Sequence, residues 1–391
     1  MPVRCHSYNI CSMNLRTAIV VDYLNQYGGA ERTLEAILEI FPECDIYTSL
    51  YDASKIPGSS IIKRSRIFSS PLNLFPFIKF LSKHFTFLYP LIFEKINLDN
   101  YDLIISSGTI WAKGVKTNHS QLHIFYCHTP PRFLYGYPSE SSRRNIWYYK
   151  PFVTILDHIL RIWDFKSAQK PDYIIANSEN VKRRISKFYR RESMVIYPPV
   201  SHGGIDPKIG IIPFQGIIPI TPGYFLVVSR LSAYKNIDIA IKAFNELKLN
   251  LKIVGVGREE KKLKEIAGPT VEFLGFTDDK QLAKLYSGCQ AFIYTTSDED
   301  FGITPLEANS FGKPVIAFRS GGVLKTMIEG KTALFFDELS SPSLIEAIRR
   351  FREGGDHWNA DLIRQNSKRF SKERFKKEFK DFVEDKYNKF N

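Results

Sequence analysis

From Tyr224 onward the chain repeats one pattern: a short run rich in β-branched and aromatic residues, then a stretch of helical length and helical periodicity. Y-F-L-V-V-S from Tyr224 reads as a strand, and Ile237, Ala240, Ile241, Phe244 and Leu247 then recur at the spacing that lines one helix face. Further runs follow at L-K-I-V-G from Leu251, V-E-F-L-G from Val271, Q-A-F-I-Y-T from Gln290, P-V-I-A-F from Pro314 and A-L-F-F from Ala333, with helix-length segments between them. Parallel strands cannot be joined by a tight hairpin, so crossover helices and an α/β fold are the economical topology.

The first half carries a noisier version of the same rhythm. Strands are expected at T-A-I-V-V-D from Thr17, Y-D-L-I-I-S-S from Tyr101, L-H-I-F-Y-C-H from Leu122, D-Y-I-I-A-N-S from Asp172 and S-M-V-I-Y-P from Ser193. Between the halves, His202 to Gly223 is rich in Gly, Pro and Ile without helical period, and is placed as the linker. A chain of 391 residues at 44% hydrophobic content is long enough for two cores. Residues 1–12 are read as a tail, 13–203 as a first Rossmann-like domain and 204–370 as a second.

Several classes are excluded. Cys5, Cys11, Cys44, Cys127 and Cys289 are odd in number with no CxxC pair, which suits neither a disulfide framework nor a zinc site and points to a reducing, cytoplasmic compartment. Met1 to Ser12 has no apolar run and is no signal peptide, and no stretch of about eighteen apolar residues is present to span a bilayer. The formal charge of +13 asks for an anionic partner. Residues 61–98 interleave Lys63, Arg64, Arg66, Lys79 and Lys83 with Phe75, Phe77, Phe80, Phe85, Phe87, Leu88, Tyr89, Leu91 and Phe93. That is the composition of a surface lying on an anionic membrane, and equally of an amphipathic helix buried in the first domain.

The chemistry concentrates where second-half strands end. S-R-L-S-A-Y-K-N, Ser229 to Asn236, follows a strand and precedes a helix, where doubly wound folds bind ligands. Arg230 and Lys235 bracket the turn and Asn236 is expected to cap the helix, so two cations and a positive helix end make an anion site suited to a diphosphate. Downstream, D-E-D-F-G-I-T-P-L-E-A from Asp298 places Glu299 on a loop and Glu307 in the first helical turn, with Phe301, Gly302 and Ile303 between them. Thr304-Pro305-Leu306-Glu307 matches a capping box, which alone would account for Glu307. On the first domain, Gly28 and Gly29 precede a helix and bare their amides to a phosphate or sugar, or else serve a tight turn. His128 follows a strand.

In this order the words resemble the glycosyltransferase family 4 group: V-D-Y-L-x-x-x-G-G-A-E-R from Val21, C-H-T-P-P-R from Cys127, N-S-E-N-V from Asn177, Tyr197 to Val200, Arg230 with Lys235, Val254-Gly255-Val256-Gly257, F-L-G-F from Phe273, the two glutamates, and Ser320-Gly321-Gly322. The resemblance implies a retaining, metal-independent hexosyltransferase with two facing Rossmann-like domains, a central cleft, and a final helix, 371–391, crossing back to the first domain. Arg230 and Lys235 would hold the pyrophosphate and stabilise it as it leaves, Glu307 would bind the ribose, and Glu299 would contact the sugar. Gly255, Phe276 and Thr277 would lie about the nucleotide, and His128 beside the donor sugar. Front-face attack is the implied route, with no covalent enzyme intermediate; the competing double displacement would need Glu299 as nucleophile. The wording is similar to the branch of O-antigen and exopolysaccharide mannosyltransferases. GDP-mannose is therefore the expected donor, with UDP-sugars as the alternative, and a lipid-linked or cell-surface glycan the expected acceptor, met at the inner face of the plasma membrane.

Rival readings fail on particular residues. Gly330-Lys331-Thr332 lacks the first P-loop glycine, that position being Lys325, and the dinucleotide fingerprint at Val254 has Glu260 for its third glycine. Asp298-Glu299-Asp300 is formally a DxD motif, which would bind a manganese-nucleotide, but that fits neither two Rossmann-like halves nor the Arg and Lys pair. A basic nucleic-acid-binding protein would explain the charge and not the glutamates, so no nucleic-acid partner is expected.

Overall fold

The computed structural model describes residues 15–56, 59–74, 86–138, 150–200, 223–354 and 358–390. They form two compact units, Met1–Pro199 with Glu373–Asn391, and Val200–Lys372. The tail at 1–12 and nearly all of the expected linker lie outside the described residues.

The first unit is built on β1 (Thr17–Val21), β2 (Asp45–Thr48), β3 (Arg66–Ser69), β4 (Leu103–Gly108), β5 (Leu122–Cys127), β6 (Tyr173–Ala176) and β7 (Met194–Val195), in the spatial order β3-β2-β1-β4-β5-β6-β7. All neighbours pair parallel. Every residue of β1, β4 and β5 is buried, as expected of strands covered on both faces by crossover helices. The second unit repeats the plan with β8 (Tyr224–Val228), β9 (Asn250–Val254), β10 (Val271–Gly275), β11 (Cys289–Tyr294), β12 (Val315–Phe318) and β13 (Ala333–Phe336), ordered β10-β9-β8-β11-β12-β13 and again parallel. Both sheets are doubly wound. Their order reverses between β1 and β4 in one and between β8 and β11 in the other, and at such a reversal the flanking helices diverge and leave a crevice beyond the strand ends.

Two strands were not anticipated. β2 and β3 have four residues each, and β3 is an edge strand whose side chains are mostly exposed, so neither shows a clean apolar pattern. Tertiary pairing holds them: Phe68 stacks on Tyr47 at 5.0 Å, and the Arg66 guanidinium pairs with the Asp45 carboxylate. The described part of the 61–98 stretch is divided between core and surface. Ile62, Tyr89 and Phe93 are core, whereas Phe87 and Leu91 are exposed; Phe75, Phe77, Phe80 and Phe85, with Lys79 and Lys83, lie outside the described residues.

The last helix, Lys372–Phe390, is highly charged, yet Phe375, Phe379, Phe382 and Val383 recur at helical spacing and bury in the core of the first unit with Ile19, Ile105 and Tyr126. Lys376 reaches Glu39 at 3.1 Å and Arg374 donates to the Tyr197 carbonyl at 2.8 Å. Cys44, Cys127 and Cys289 are buried and form no disulfide. Among the described residues no helix is long and apolar enough to cross a membrane.

Candidate functional site

In the second unit, the candidate residues gather where β8 and β11 end, at the reversal of strand order. The Ser229–Asn236 loop is fastened by backbone bonds from Ser229 N to Val254 O at 3.0 Å and from Leu231 N to Val256 O at 3.1 Å. So close an approach demands glycine. At Gly255, with φ +132, a Cβ would stand 1.9 Å from the Ser229 oxygen, and at Gly257 it would stand 2.1 Å from the Leu231 oxygen. The Val254–Gly257 word thus has a backbone reason, and Gly255 serves the site by seating the loop that carries Arg230. We expect Gly257→Ala to lower stability by roughly 2–3 kcal/mol through overpacking and to weaken nucleotide binding with it. A urea melt within 0.5 kcal/mol of the unaltered chain, itself about the scale of an ordinary surface substitution, would count against this account.

Arg230 is exposed on that loop, and Lys235 forms an ion pair with Glu299, the two side chains being 12% and 23% exposed. The expected cap at Asn236 is not made. Asn236 is left-handed, its side chain accepts from no amide of the Ile237–Leu247 helix, and its own amide donates to the Tyr234 and Thr295 carbonyls at 3.0 and 3.3 Å. With Thr295 Oγ1 donating to the Lys235 carbonyl at 2.8 Å, it ties the β8 loop to the end of β11. The helix start keeps its amides free of a side-chain cap, which leaves its positive end to act on a ligand.

The acidic loop is seated in a similar way. Asp298 is left-handed and its amide donates to Ser320 Oγ at 3.2 Å, while Gly322 N donates to the Glu299 carbonyl at 2.8 Å. A Cβ on Gly321 would lie 2.5 Å from that carbonyl oxygen, and one on Gly322 would lie 2.5 Å from Phe301 Cα. The Ser320-Gly321-Gly322 word therefore exists to let one loop lie flush on the other. Gly302, at φ +86, is the N-cap of the Ile303–Ser310 helix, so Thr304 is inside the helix and Glu307 is in its second turn. The capping-box account of Glu307 fails on this register. Glu307 is instead 6% exposed and accepts from the Tyr286 hydroxyl at 3.0 Å. Phe301 turns inward, edge-on to Phe370 at 5.5 Å, so only its backbone is at hand for a ligand. Glu299 has a phenol neighbour, Tyr294. Burial first, and then the Glu299 charge, hold that phenol well above its usual value, so it stays protonated and able to donate.

At the end of β10, Gly275 is left-handed, Phe276 is 65% exposed, and the Thr277 hydroxyl is buried without a protein partner. An exposed ring beside an unsatisfied hydroxyl offers a flat ligand both stacking and a hydrogen bond.

In the first unit, a small solvent-open pocket lies beyond β1 and β4, lined by Asp22, Leu24, Glu31, Ser107 and His128 among others. Asp22, the residue after β1, was not singled out from the sequence. Its carboxylate accepts from the amides of Thr109, Ile110, Trp111 and Ala112 at 2.7 to 3.1 Å and from the Thr109 hydroxyl at 3.1 Å. A Cβ on Gly108 would come within 2.6 Å of it. His128 Nε2 lies 3.0 Å from Ser107 Oγ. Burial pushes its imidazole down to about 4, with the Asp22 charge pulling the other way. His123, buried in β5, is pushed down to about 3 by the same desolvation. Gly28 is in extended backbone as N-cap of the Gly29–Leu38 helix, so turn geometry does not require glycine there.

A pH dependence follows. Both folded values lie below the ordinary 6.5, so the unfolded chain binds protons that the native state refuses. The stabilisation is full above about 6.5 and is lost as pH falls toward 4. Denaturant midpoints measured between those limits should decline, and His128→Gln should flatten the decline. An unchanged slope would show that His128 is protonated freely in the native state.

Comparison with known proteins bears on family and fold. Residues 27–203 match the family described as Glycosyltransferase Family 4, and residues 209–369 match Glycosyl transferases group 1. The α-1,3/1,6-mannosyltransferase ALG2 of Mus musculus is 27% identical over 257 residues, covering 58% of this chain and 59% of the relative. The chain thus spans about six-tenths of the length of that relative. Among solved structures, sucrose-phosphate synthase from Thermosynechococcus elongatus superposes with a TM-score of 0.70 at 18% identity, covering 95% of this chain and 99% of that one. Anabaena HepE, solved in complex with UDP, gives 0.67 at 17% identity, covering 95% and 100%. At such identities the two structures speak to fold.

Proposed function

This chain belongs to glycosyltransferase family 4, with the two-Rossmann-domain fold known as GT-B, and from that premise we propose that it transfers mannose from GDP-mannose, with retention, to a lipid-linked or cell-surface glycan. The observation that carries the reading is the convergence at one reversal of strand order of Arg230, Lys235 paired to Glu299, and Glu307 held by Tyr286. A nucleoside diphosphate develops negative charge as it departs. Preorganised cations at a helix start stabilise that charge, and no metal is needed for it. Glu307, fixed by a phenol, is suited to accept from two ribose hydroxyls. Phe276 and Thr277 are suited to the base. Gly302 and Ile303 offer helix-start amides to the sugar or phosphate, and Gly28 and Gly29 do so in the first unit.

Glu299 already balances a lysine charge, which makes it a poor free nucleophile and supports front-face attack over double displacement. His128, neutral at pH 7, is suited to hydrogen-bond a sugar hydroxyl or to stabilise the oxocarbenium-like centre. Mannose leads because the relatives matched in sequence include the mannosyltransferase ALG2. The UDP held by HepE keeps UDP-sugars as the second reading. The site of action proposed is the cytoplasmic face of the membrane.

Thermal melting against GDP, UDP and ADP tests the donor, because a ligand bound to the native state alone raises the melting point by mass action. GDP is expected to shift it most, and Glu307→Ala to erase most of that shift. UDP shifting it more would transfer the assignment to UDP-sugars, and no shift with any nucleotide would remove the donor assignment. Turnover surviving EDTA is expected; its abolition and rescue by manganese would favour the Asp298-Glu299-Asp300 metal reading.

A further inference from the structure

The Lys150–Ser167 helix buries little of its surface. Its inward side is firmly held: Asp164 meets Lys113 at 2.6 Å with both side chains fully buried, Leu160 is in the core, and Trp163 Nε1 donates to Glu94 at 3.2 Å. Its outward side carries Phe152, Ile155, Ile159 and Ile162, which are 68%, 63%, 57% and 46% exposed. These follow one another at helical spacing and form a single row, with Lys166 continuing it. Phe87 and Leu91, also exposed, belong to the segment whose Tyr89, Phe93 and Glu94 pack against this helix. Soluble chains seldom leave so many large apolar residues in one row.

The charges choose the occupant. Lys150, Arg161 and Lys166 are exposed on this helix, as is His158, whereas Asp164 is spent on Lys113 and Asp157 is half-buried. An apolar row flanked by the exposed cations Lys150, Arg161 and Lys166, on a chain of net charge +13, complements an anionic lipid surface.

We propose that the outward face of the Lys150–Ser167 helix is a docking surface for anionic membrane, lying in the plane of the headgroups. It places the membrane contact on this helix, with the exposed Phe87 and Leu91 of the segment packed against it. The inference deepens the reading of a lipid-linked acceptor, since a protein held on the bilayer meets such an acceptor in two dimensions.

The full chain is sedimented with vesicles of phosphatidylcholine alone and of phosphatidylcholine with phosphatidylglycerol. Binding is expected only to the anionic vesicles, weakening with salt. Ile155→Glu with Ile159→Glu should lower the bound-to-free ratio about tenfold, and Lys166→Gln more mildly, with circular dichroism and melting point unchanged because these positions are exposed. Absence of binding to anionic vesicles overturns the proposal, as does a double variant that binds as well as the parent. A parent that is dimeric in light scattering and a double variant that is monomeric would also overturn it, assigning the row to a second copy. The nucleotide thermal shift, read on the same samples, separates this failure from failure of the donor assignment.

Discussion

Lys235→Ala is expected to lower kcat/KM for the nucleotide sugar by about 10²–10³, the usual cost of removing one preorganised donor to a charge that develops in the transition state. The fall should appear mainly in kcat, because the pyrophosphate is more negative leaving than bound. Two features of the structure sharpen the expectation. Lys235 is held by its own backbone through Thr295 and by the Glu299 carboxylate, so the ammonium is placed before ligand arrives. Removing it also strands Glu299, half-buried, without its ion pair, and the loop loses its electrostatic match. Lys235→Arg keeps charge but changes reach and hydration, and should recover only part of the rate. A rate for Lys235→Ala within about threefold of the parent would mean that the departing phosphate does not sit at this turn.

Asp22→Ala should be the most destabilising single change, costing on the order of 3–5 kcal/mol. Its carboxylate takes four consecutive backbone amides and one hydroxyl at the end of β4, and the Ala112–Gly114 turn depends on that cluster. Alanine would leave several buried amides without acceptors, each carrying a desolvation penalty that water cannot easily relieve. Asp22→Asn is isosteric but turns an NH₂ toward amides that can only donate, so it should recover less than half of the loss. Urea melts measure the cost, and amide exchange at Thr109 to Ala112 locates it. A loss under 1 kcal/mol, about the net value of one ordinary hydrogen bond, would show that solvent replaces the carboxylate readily.

What could be read early depended on whether a residue's reason is local. The parallel strands of the second unit are announced by unbroken β-branched runs, because burial on both faces removes the polar alternation. Arg230, Lys235, Glu299 and Glu307 are carried by short words at strand ends, where topology places ligands. β2 and β3 escaped because they are brief and one is an edge, their stability coming from pairing and from Arg66 with Asp45. Asn236 and Glu307 carried plausible capping signatures, and each was overruled by a partner distant in sequence: Thr295 for one, Tyr286 for the other. Asp22 did carry a signal, an acid just after a strand beside a reversal of strand order, but its five partners lie some ninety residues away.

Periodicity and residue type by themselves determined that the chain folds as two parallel α/β units and that cations and acids stand at the strand ends of the second, since both follow from spacing along a strand or helix. Tertiary structure alone decided why the glycines at 255, 257, 321 and 322 are there, which phenol steadies which carboxylate, and which aromatic residues face solvent. The reason is physical. A Cβ clash or a buried hydrogen bond is set by atoms that the backbone brings within 3 Å, and linear spacing carries no record of that approach until the sheets have closed.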